Sequence, residues 1–391
     1  MATPSIKIIY FTTCVTICSL YAAQPIQPVF QSEFQLSNLQ AILFTTLMMA
    51  PLGFAPLFYG YFLESFSAKV MVRWALLTLG LLELVFAMTD SYLLLLAIRG
   101  VQGFMIPAIL TSLISYISYT STREKVQHAI ATYIAATIAG GFLGRFLSAF
   151  FTDLFGWRFF FFLLGMLLLL TSFLLRNMAR DVKMAYARPK FSEIALLLRK
   201  KEFFWLYSSI FCLFFVFSAL MNFLPFQLKQ MNPESGESGI GLLYLGYAMG
   251  VIVCLNSRAI IRFFKNEPDA IRAGVLIFIL GTLLFMFEYY VVMFLGMFVF
   301  CTGLFMAHSL LSGFVNKLAE ENKAIANGLY MSSYYLGGTL GSVIPGVVYV
   351  YGGWQMFLCS LLLMLLTASI FIRNLKKAVA SLEAYAGDRE L

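Results

Sequence analysis

Apolar runs long enough to cross a lipid bilayer follow one another along nearly the whole chain. Of its 391 residues, 61% are apolar and only 12% are charged, whereas soluble domains carry about 25% charged residues. A membrane-spanning helix needs about 20 apolar residues, so twelve spans use about 240 residues and leave the rest for short connections. The runs therefore exclude an ordinary soluble enzyme and predict an all-α membrane protein with twelve transmembrane helices.

The limits of the spans follow from the ends of these runs. We place the spans near residues 6–30, 40–61, 70–88, 92–115, 129–151, 157–175, 203–226, 239–255, 271–287, 290–314, 325–349 and 354–372. Only Glu288 interrupts the apolar stretch between the ninth and tenth spans, so a tight turn is predicted there.

Basic residues indicate the orientation, because Lys and Arg accumulate in short cytoplasmic loops. With the N-terminus inside, all but four of the 27 basic residues lie in predicted cytoplasmic loops or tails. Arg158 and Lys229 lie outside, and Arg99 and Arg145 lie within spans. Both termini are therefore predicted to be cytoplasmic, in a multi-pass protein of the inner membrane. This bias also explains the net charge of +8 without a nucleic-acid partner.

Several kinds of chemistry lack their residues in this sequence. All six cysteines lie inside apolar runs, so we expect neither a disulfide framework nor a zinc site. No G-x-x-x-x-G-K-[ST] or H-E-x-x-H motif is present. We therefore expect no metal, no cofactor and no enzymatic activity, which leaves an ion gradient as the energy source.

An internal repeat relates the two halves of the chain. A shift of 197 positions superposes Gly156-Trp157 on Gly353-Trp354, and glycines 140, 141 and 144 on glycines 337, 338 and 341. Parallel repeats of this kind build secondary transporters. The repeat predicts two six-helix bundles, residues 1–178 and 203–391, joined by a basic cytoplasmic linker at 179–202.

Two motifs resemble those of the major facilitator superfamily. After the second span, Gly60, Glu64 and Lys69 follow the superfamily's pattern of a glycine, then an acid, then a base. In the fourth span, Arg99-Gly-Val-Gln102-Gly103 matches its Arg-x-x-Gln-Gly element. The resemblance implies the two-bundle fold and a gating latch between the halves at Gly60, Glu64 and Lys69.

Four segments narrow the resemblance to the drug:proton antiporter branch, and within it to YnfM-like and putative sugar-efflux members. They are residues 20–28, 140–145, 307–309 and 334–338. The branch implies antiport, with efflux of a small molecule against protons. The Gly-Pro pair of the branch's fifth-helix signature is absent, so the direction of transport rests on overall similarity.

The resemblance also implies which residues line the substrate cavity, because the first helix of each three-helix group faces it in this superfamily. The candidate cavity residues are Gln24, Gln27, Arg99, Gln102, Asn222, Gln227 and His308, with Arg145 and Tyr334 added. Tyr334 either lines the cavity or packs against its neighbours. Gly140 and Gly144, four residues apart, permit close helix contact and serve either packing or gating.

Arg145 is predicted to act in function rather than in folding. An arginine at mid-membrane costs about 2.5–3.5 kcal/mol, yet its repeat mate is Ser342, so helix packing requires no charge at this position. The alternative is a structural ion pair between Glu83, which lies at a similar depth, and either Arg99 or Arg145, since one glutamate cannot neutralise both arginines. Glu83 and His308 are also the candidates for proton coupling, although His308 could instead be a hydrogen-bonded structural residue.

From the residues and the resemblance, the chain is predicted to be a secondary active transporter that exports a small organic molecule by alternating access, coupled to protons. A sugar, an organic acid or a drug-like compound is the expected substrate. Gln24 and Gln27 stand where exporters of cations carry an acid, which favours a neutral polar or anionic molecule. The alternatives are a proton-coupled importer and a non-transporting membrane receptor. The expected partners are substrate, protons and the lipid bilayer, and the protein is expected to be monomeric.

Overall fold

The computed structural model describes residues 6–63, 66–122, 125–178, 191–319 and 323–387. The elements in these ranges are helices: α1 (Ile6–Tyr21), α2 (Gln27–Glu33), α3 (Asn38–Leu63), α4 (Ala68–Ala87), α5 (Tyr92–Thr120), α6 (Val126–Phe155), α7 (Trp157–Leu174), α8 (Phe191–Arg199), α9 (Lys201–Met231), α10 (Glu237–Leu243), α11 (Ala248–Leu255), α12 (Ser257–Phe264), α13 (Glu267–Leu284), α14 (Tyr290–Leu318) and α15 (Lys323–Gly387). Short 3-10 turns lie at Leu175–Asn177 and Tyr244–Tyr247.

Nine helices in the described ranges are long and apolar enough to cross a membrane. The helix α15 counts once among them although it contains two predicted spans, which meet at Gly353. The apolar α1 is shorter, with 16 residues, and α13 is not among the nine. The number of twelve spans therefore stays a prediction, as does the cytoplasmic location of both termini.

The first predicted span, residues 6–30, is not one continuous helix. It ends as α1 at Tyr21 and resumes as α2 at Gln27. Pro25 and Pro28 lie in this stretch, and a proline removes a backbone donor and clashes with the carbonyl four residues before it. The predicted span at 239–255 is also interrupted, by the 3-10 turn between α10 and α11. Both interruptions hold residues of the candidate site described below.

The chain falls into two compact units. Unit 1 comprises Met1–Tyr186 and Met221–Val251, and unit 2 comprises Ala187–Leu220 and Ile252–Leu391. The helix α9 therefore begins in unit 2 and ends in unit 1. The predicted domains divide the sequence elsewhere, at 179–202, and they remain a prediction.

The internal repeat recurs as matching contacts inside the two units. In unit 1 the Tyr10 hydroxyl donates to the carbonyl of Ala129 at 3.2 Å. In unit 2 the Tyr207 hydroxyl donates to the carbonyl of Ala326 at 3.0 Å. Both residues of the second pair lie 197 positions after those of the first, so the shift found in the sequence also relates contacts in space.

The repeated glycines bring helix backbones together in each unit. A Cβ at Gly140 would lie 2.5 Å from the carbonyl oxygen of Cys14, and one at Gly144 would lie 2.6 Å from the Cα of Cys18. In unit 2, a Cβ at Gly337 would clash with the carbonyl oxygen of Phe211, and one at Gly341 would clash with that of Phe215. All four pairs obey the shift of 197, so these glycines have a packing role; a gating role for Gly140 and Gly144 stays a prediction.

Gly144→Ala is expected to destabilise unit 1. The added methyl group would push α1 away from α6, and overpacking of this kind costs about 1–3 kcal/mol. The melting temperature of the purified protein should fall relative to the wild type. Gly100→Ala in α5 is the control, because a Cβ there meets no atom within 4 Å. Equal melting temperatures for the two variants would contradict the packing role.

The repeated Gly-Trp pair forms the junction between consecutive helices. Gly156 has φ of 82° and Gly353 has φ of 73°, in the left-handed region that glycine adopts without steric cost. Trp157 and Trp354 follow them and are buried. The pair thus ends one helix and starts the next at both positions.

Candidate functional site

Arg145 lies on α6 and is almost completely buried, with 1% of its surface exposed. Its Nε donates a hydrogen bond to the side-chain oxygen of Gln24 at 2.6 Å. Its Nη1 donates to the carbonyl of Gly141, one turn earlier in the same helix, at 2.6 Å. Both acceptors are neutral oxygens.

Three tyrosine rings surround the same guanidinium. Its central carbon lies 3.9 Å from the ring centroid of Tyr21, 4.6 Å from that of Tyr247 and 5.4 Å from that of Tyr244. A desolvated cation–π contact contributes about 2 kcal/mol. The rings therefore offset part of the cost of burying this charge. They come from the two interrupted segments, since Tyr21 ends α1 while Tyr244 and Tyr247 form the 3-10 turn.

An amide network continues from Arg145 toward α9. Gln24 donates to the side-chain oxygen of Asn222 at 3.0 Å, and Gln27 donates to the same oxygen at 2.8 Å. Gln27 also donates to Thr45 at 3.0 Å. The side-chain oxygen of Gln27 is buried and has no hydrogen-bond partner among the described residues. Arg145, Gln24, Gln27 and Asn222 are called the amide–arginine cluster below, and all four lie in unit 1.

Within the described ranges, no carboxylate lies within ion-pair distance of Arg145. The matching position in unit 2 shows what packing alone requires. Ser342 shares a hydrogen bond of 2.8 Å with Ser218 and donates to the carbonyl of Gly338 at 2.8 Å. Ser218 lies 197 positions after Tyr21, so a serine pair in unit 2 replaces the Tyr21–Arg145 pair of unit 1.

Glu83 is paired with Arg99 and not with Arg145. Its Oε1 lies 3.4 Å from Nη1 of Arg99 and also accepts a hydrogen bond from Ser19. The same Arg99 nitrogen donates to Gln102 at 2.9 Å. The expected structural ion pair of Glu83 with an arginine is therefore present, and its partner is Arg99 rather than Arg145, because the register of the helices brings Arg99 to Glu83.

This buried pair sits in a closed helix interface. Glu83, Arg99 and Gln102 are each 0% exposed, and the rings of Phe86 and Phe161 lie 4.5 and 4.9 Å from the Arg99 guanidinium. Four polar atoms have no partner among the described residues: Oε2 of Glu83, Nε and Nη2 of Arg99, and Nε2 of Gln102. Buried water molecules bind to polar atoms of this kind, which otherwise have no hydrogen-bond partner. The described contacts do not join it to the amide–arginine cluster, so a cavity role for Arg99 and Gln102 remains a prediction.

His308 belongs to a tyrosine group in unit 2. Its Nδ1 lies 2.8 Å from the Tyr330 hydroxyl, which itself lies 3.0 Å from the His308 carbonyl. Both contacts are satisfied when Nδ1 donates to the hydroxyl and the hydroxyl donates to the carbonyl, which leaves Nε2 as an acceptor. The Tyr334 ring lies 4.7 Å from the imidazole and stacks on Phe214 at 3.6 Å. The structural and proton-coupling roles of His308 both stay open.

The structure gives the position in the fold, but not a role, for the remaining predicted site residues that it describes. Gln227 is buried on α9. Of the predicted latch, Gly60 lies in α3 and Lys69 lies in the first turn of α4, while Glu64 lies outside the described residues. The latch therefore remains a prediction.

Sequence reasoning missed the part that Asp153 plays at the end of α6. Its Oδ1 accepts the backbone N–H of Glu237 at 2.7 Å, and its Oδ2 accepts the backbone N–H and the hydroxyl of Ser238 at 2.7 and 2.5 Å. Glu237 also pairs with Lys229 at 2.7 Å. We call this the Asp153 contact; it ties α6 to the first turn of α10. In the sequence, this contact is signalled only by a polar stretch at residues 232–239 and by an aspartate near the end of the fifth predicted span.

A sequence profile of the Major Facilitator Superfamily matches residues 9–324. The chain belongs to this superfamily. Among curated relatives, the inner membrane transport protein YnfM of Escherichia coli strain K12 is 28% identical over 350 residues, which cover 87% of this chain and 82% of YnfM. An uncharacterized transporter of Buchnera aphidicola subsp. Schizaphis graminum is 25% identical over 363 residues, covering 92% and 88%.

Two solved structures of transporters have the same fold. A bacterial homolog of the human lysosomal transporter Spinster, in an inward-facing and unoccupied conformation, matches with a TM-score of 0.76 and 14% identity, covering 95% of this chain and 97% of that one. The nucleoside transporter NupG matches with a TM-score of 0.75 and 14% identity, covering 95% and 99%. The chain is thus a multi-pass secondary transporter of a small molecule and not an enzyme.

Proposed function

We propose that this transporter exports a small polar or anionic organic molecule in exchange for protons, by alternating access. The observation that supports the proposal is Arg145, a buried guanidinium bound only by neutral groups among the described residues. The same proposal includes the detailed architecture, with twelve spans in two six-helix halves at 1–178 and 203–391. It also includes the location in the inner membrane, with both termini on the cytoplasmic side.

The chemistry of Arg145 favours an anionic or hydroxyl-rich substrate. A guanidinium binds carboxylates through two parallel hydrogen bonds, and such charge-assisted bonds are about twice as strong as neutral ones. Gln24, Gln27 and Asn222 lie in the same hydrogen-bonded network, and their amides suit hydroxyl and carbonyl groups. A lipophilic cation would be repelled by the positive charge of Arg145, because no carboxylate among the described residues lies close enough to neutralise that charge.

The interrupted helices support placing the substrate at this cluster. Transporters commonly bind their cargo where a helix is broken, because the broken segment frees backbone groups and lets side chains converge. The breaks between α1 and α2 and between α10 and α11 both contribute groups around Arg145. The guanidinium is closed off from solvent in this conformation, so binding requires the tyrosine rings to move.

A ligand screen on purified protein tests the substrate class. Sugars, sugar acids, organic acids and lipophilic cations would be compared by thermal shift, since a ligand stabilises by RT ln(1 + [L]/Kd). We expect stabilisation by an acid or a sugar and none by the cations. A stabilising compound, radiolabelled, should then exchange across proteoliposomes in counterflow. Stabilisation by cations alone would contradict the proposed class, and binding without counterflow would indicate a receptor.

Proton coupling is expected to depend on Glu83 and His308. Glu83→Gln and His308→Gln should slow pH-driven uptake into inverted vesicles about tenfold or more and leave counterflow, which needs no net proton movement, closer to normal. Protonation of Glu83 would remove the partner of Arg99, which gives the proton a direct effect on helix contacts. Glu234→Gln, in an exposed turn, is the matched control. Full pH-driven uptake in both variants would contradict this assignment.

A further inference from the structure

A polar groove lies in unit 1 beside the start of α4 and the end of α7, apart from the amide–arginine cluster. Its volume is about 540 Å³. The residues that give it its character are Ser67, Lys69, Arg73, Trp74, Ser172 and Arg176. These are called the basic groove.

Three of these side chains are cationic, and none of the described lining residues is acidic. Lys69 and Arg73 lie one turn apart on α4, and Arg176 follows α7 with its guanidinium 4.1 Å from the Phe173 ring. The Ser172 hydroxyl donates to the carbonyl of Arg73 at 3.1 Å, which joins the two walls. The groove therefore concentrates positive charge and hydroxyl groups within one concavity.

The wall of the groove continues into an exposed apolar surface. Trp74 is 65% exposed, and Val70, Leu77 and Leu81 on the same helix are also exposed. Tryptophan favours the boundary between head groups and acyl chains. A molecule that fits both surfaces has a compact anionic head and long apolar chains.

We propose that the basic groove binds the head group of an anionic phospholipid. The phosphate would lie among Lys69, Arg73 and Arg176, with the Ser67 hydroxyl, which accepts from the backbone N–H of Val70, as a further donor and the acyl chains along the apolar side of α4. Basic pockets between transmembrane helices on the cytoplasmic side bind cardiolipin and similar lipids, and each nearby cation adds to the attraction. The proposal rests on the predicted cytoplasmic position of the start of α4 and is independent of the transported substrate.

The test uses the full-length protein in a neutral detergent. Phosphatidylglycerol, cardiolipin, phosphatidylcholine and inorganic phosphate would be added separately, and the melting temperature and the lipid retained in native mass spectrometry recorded. We expect stabilisation and retention with the two anionic lipids and neither with phosphatidylcholine. Equal stabilisation by phosphatidylcholine would overturn the proposal, as would full stabilisation by millimolar phosphate, which would indicate a site for a free anion.

Two double variants locate the effect. Arg73→Gln with Arg176→Gln removes two charges from the basic groove and should weaken binding of anionic lipid about tenfold or more. Arg258→Gln with Arg262→Gln removes two charges from α12 and should leave that binding within about twofold. The melting temperature without lipid shows whether each variant is folded; if the groove variant is unstable, Arg176→Gln alone replaces it. Equal losses in the groove and α12 variants would overturn the assignment.

Discussion

Arg145→Ala is expected to abolish transport while folded protein remains in the membrane. Helix packing does not require the charge, because Ser342 occupies the equivalent position in unit 2 with the same glycine approaches around it. Removing an arginine also relieves about 2.5–3.5 kcal/mol of insertion cost. The loss should therefore appear in ligand binding and counterflow, and hardly in the amount or the melting temperature of the protein.

The variant Arg145→Lys tests whether ligand binding needs only the positive charge at this position or also the planar guanidinium group. Lysine keeps the positive charge but lacks the planar fork that binds a carboxylate through two bonds. We expect binding of the stabilising ligand to fall about tenfold or more, with normal expression. Arg158→Lys, at an exposed ion pair with Glu33 and Asp90, is the matched control.

A double variant distinguishes function from a structural ion pair. Because Glu83 contacts Arg99, adding Glu83→Gln to Arg145→Ala should restore neither transport nor the amount of protein in the membrane. If the Arg145→Ala protein is absent from the membrane and the double variant recovers it, Arg145 balances Glu83 in folding and the functional assignment is wrong.

Asp153→Asn is expected to slow transport about tenfold or more. An asparagine keeps one acceptor oxygen but replaces the other with a donor, which would face the backbone N–H of Ser238. Hydrogen bonds to a charged group contribute about 1.5–3 kcal/mol each, and 1.4 kcal/mol changes an equilibrium tenfold. The state in which α6 and α10 are tied together should therefore become much less populated, and a transport cycle that passes through this state should slow down.

Cysteine labelling reports this change directly. Ala149 is fully buried at the approach of α6 to Gly241 of α10. In a cysteine-free background, Ala149→Cys should react slowly with a membrane-impermeant maleimide and faster once Asp153→Asn is added. Asp90→Asn, an exposed carboxylate paired with Arg158, is the control. Unchanged labelling and unchanged counterflow would show that the Asp153 contact does not govern the cycle.

Part of the candidate site could be predicted from the sequence, because the superfamily resemblance implies which helices face the cavity and the hydropathy runs show which polar residues lie on those helices. Gln24, Gln27 and Asn222 were predicted on helices that face one cavity, and the structure joins them with Arg145 in one network. Polar residues are rare in such apolar helices, so their mutual attraction in a low-dielectric interior is foreseeable. The close approaches of Gly140 and Gly144 follow from the repeat for the same reason.

Other features depend on rotation and local breaks that periodicity does not reveal. Arg99 and Arg145 lie at similar predicted depths, yet only Arg99 meets Glu83, because depth says nothing about which way a helix face points. Tyr21, Tyr244 and Tyr247 look like ordinary apolar-run residues, and they surround Arg145 only because the helices are interrupted there. The Asp153 contact joins positions 84 residues apart.

The serine pair of unit 2 gives an internal comparison for the Tyr21–Arg145 pair of unit 1. The two copies of the repeat differ at this place: positions 218 and 342 hold small hydroxyls, while positions 21 and 145 hold an aromatic ring and a cation. The unit with the serine pair shows how the shared helix packing is built without the cation, and the other unit shows the same packing with the cation added. For most proteins that comparison needs a second species; here both versions are encoded in one reading frame.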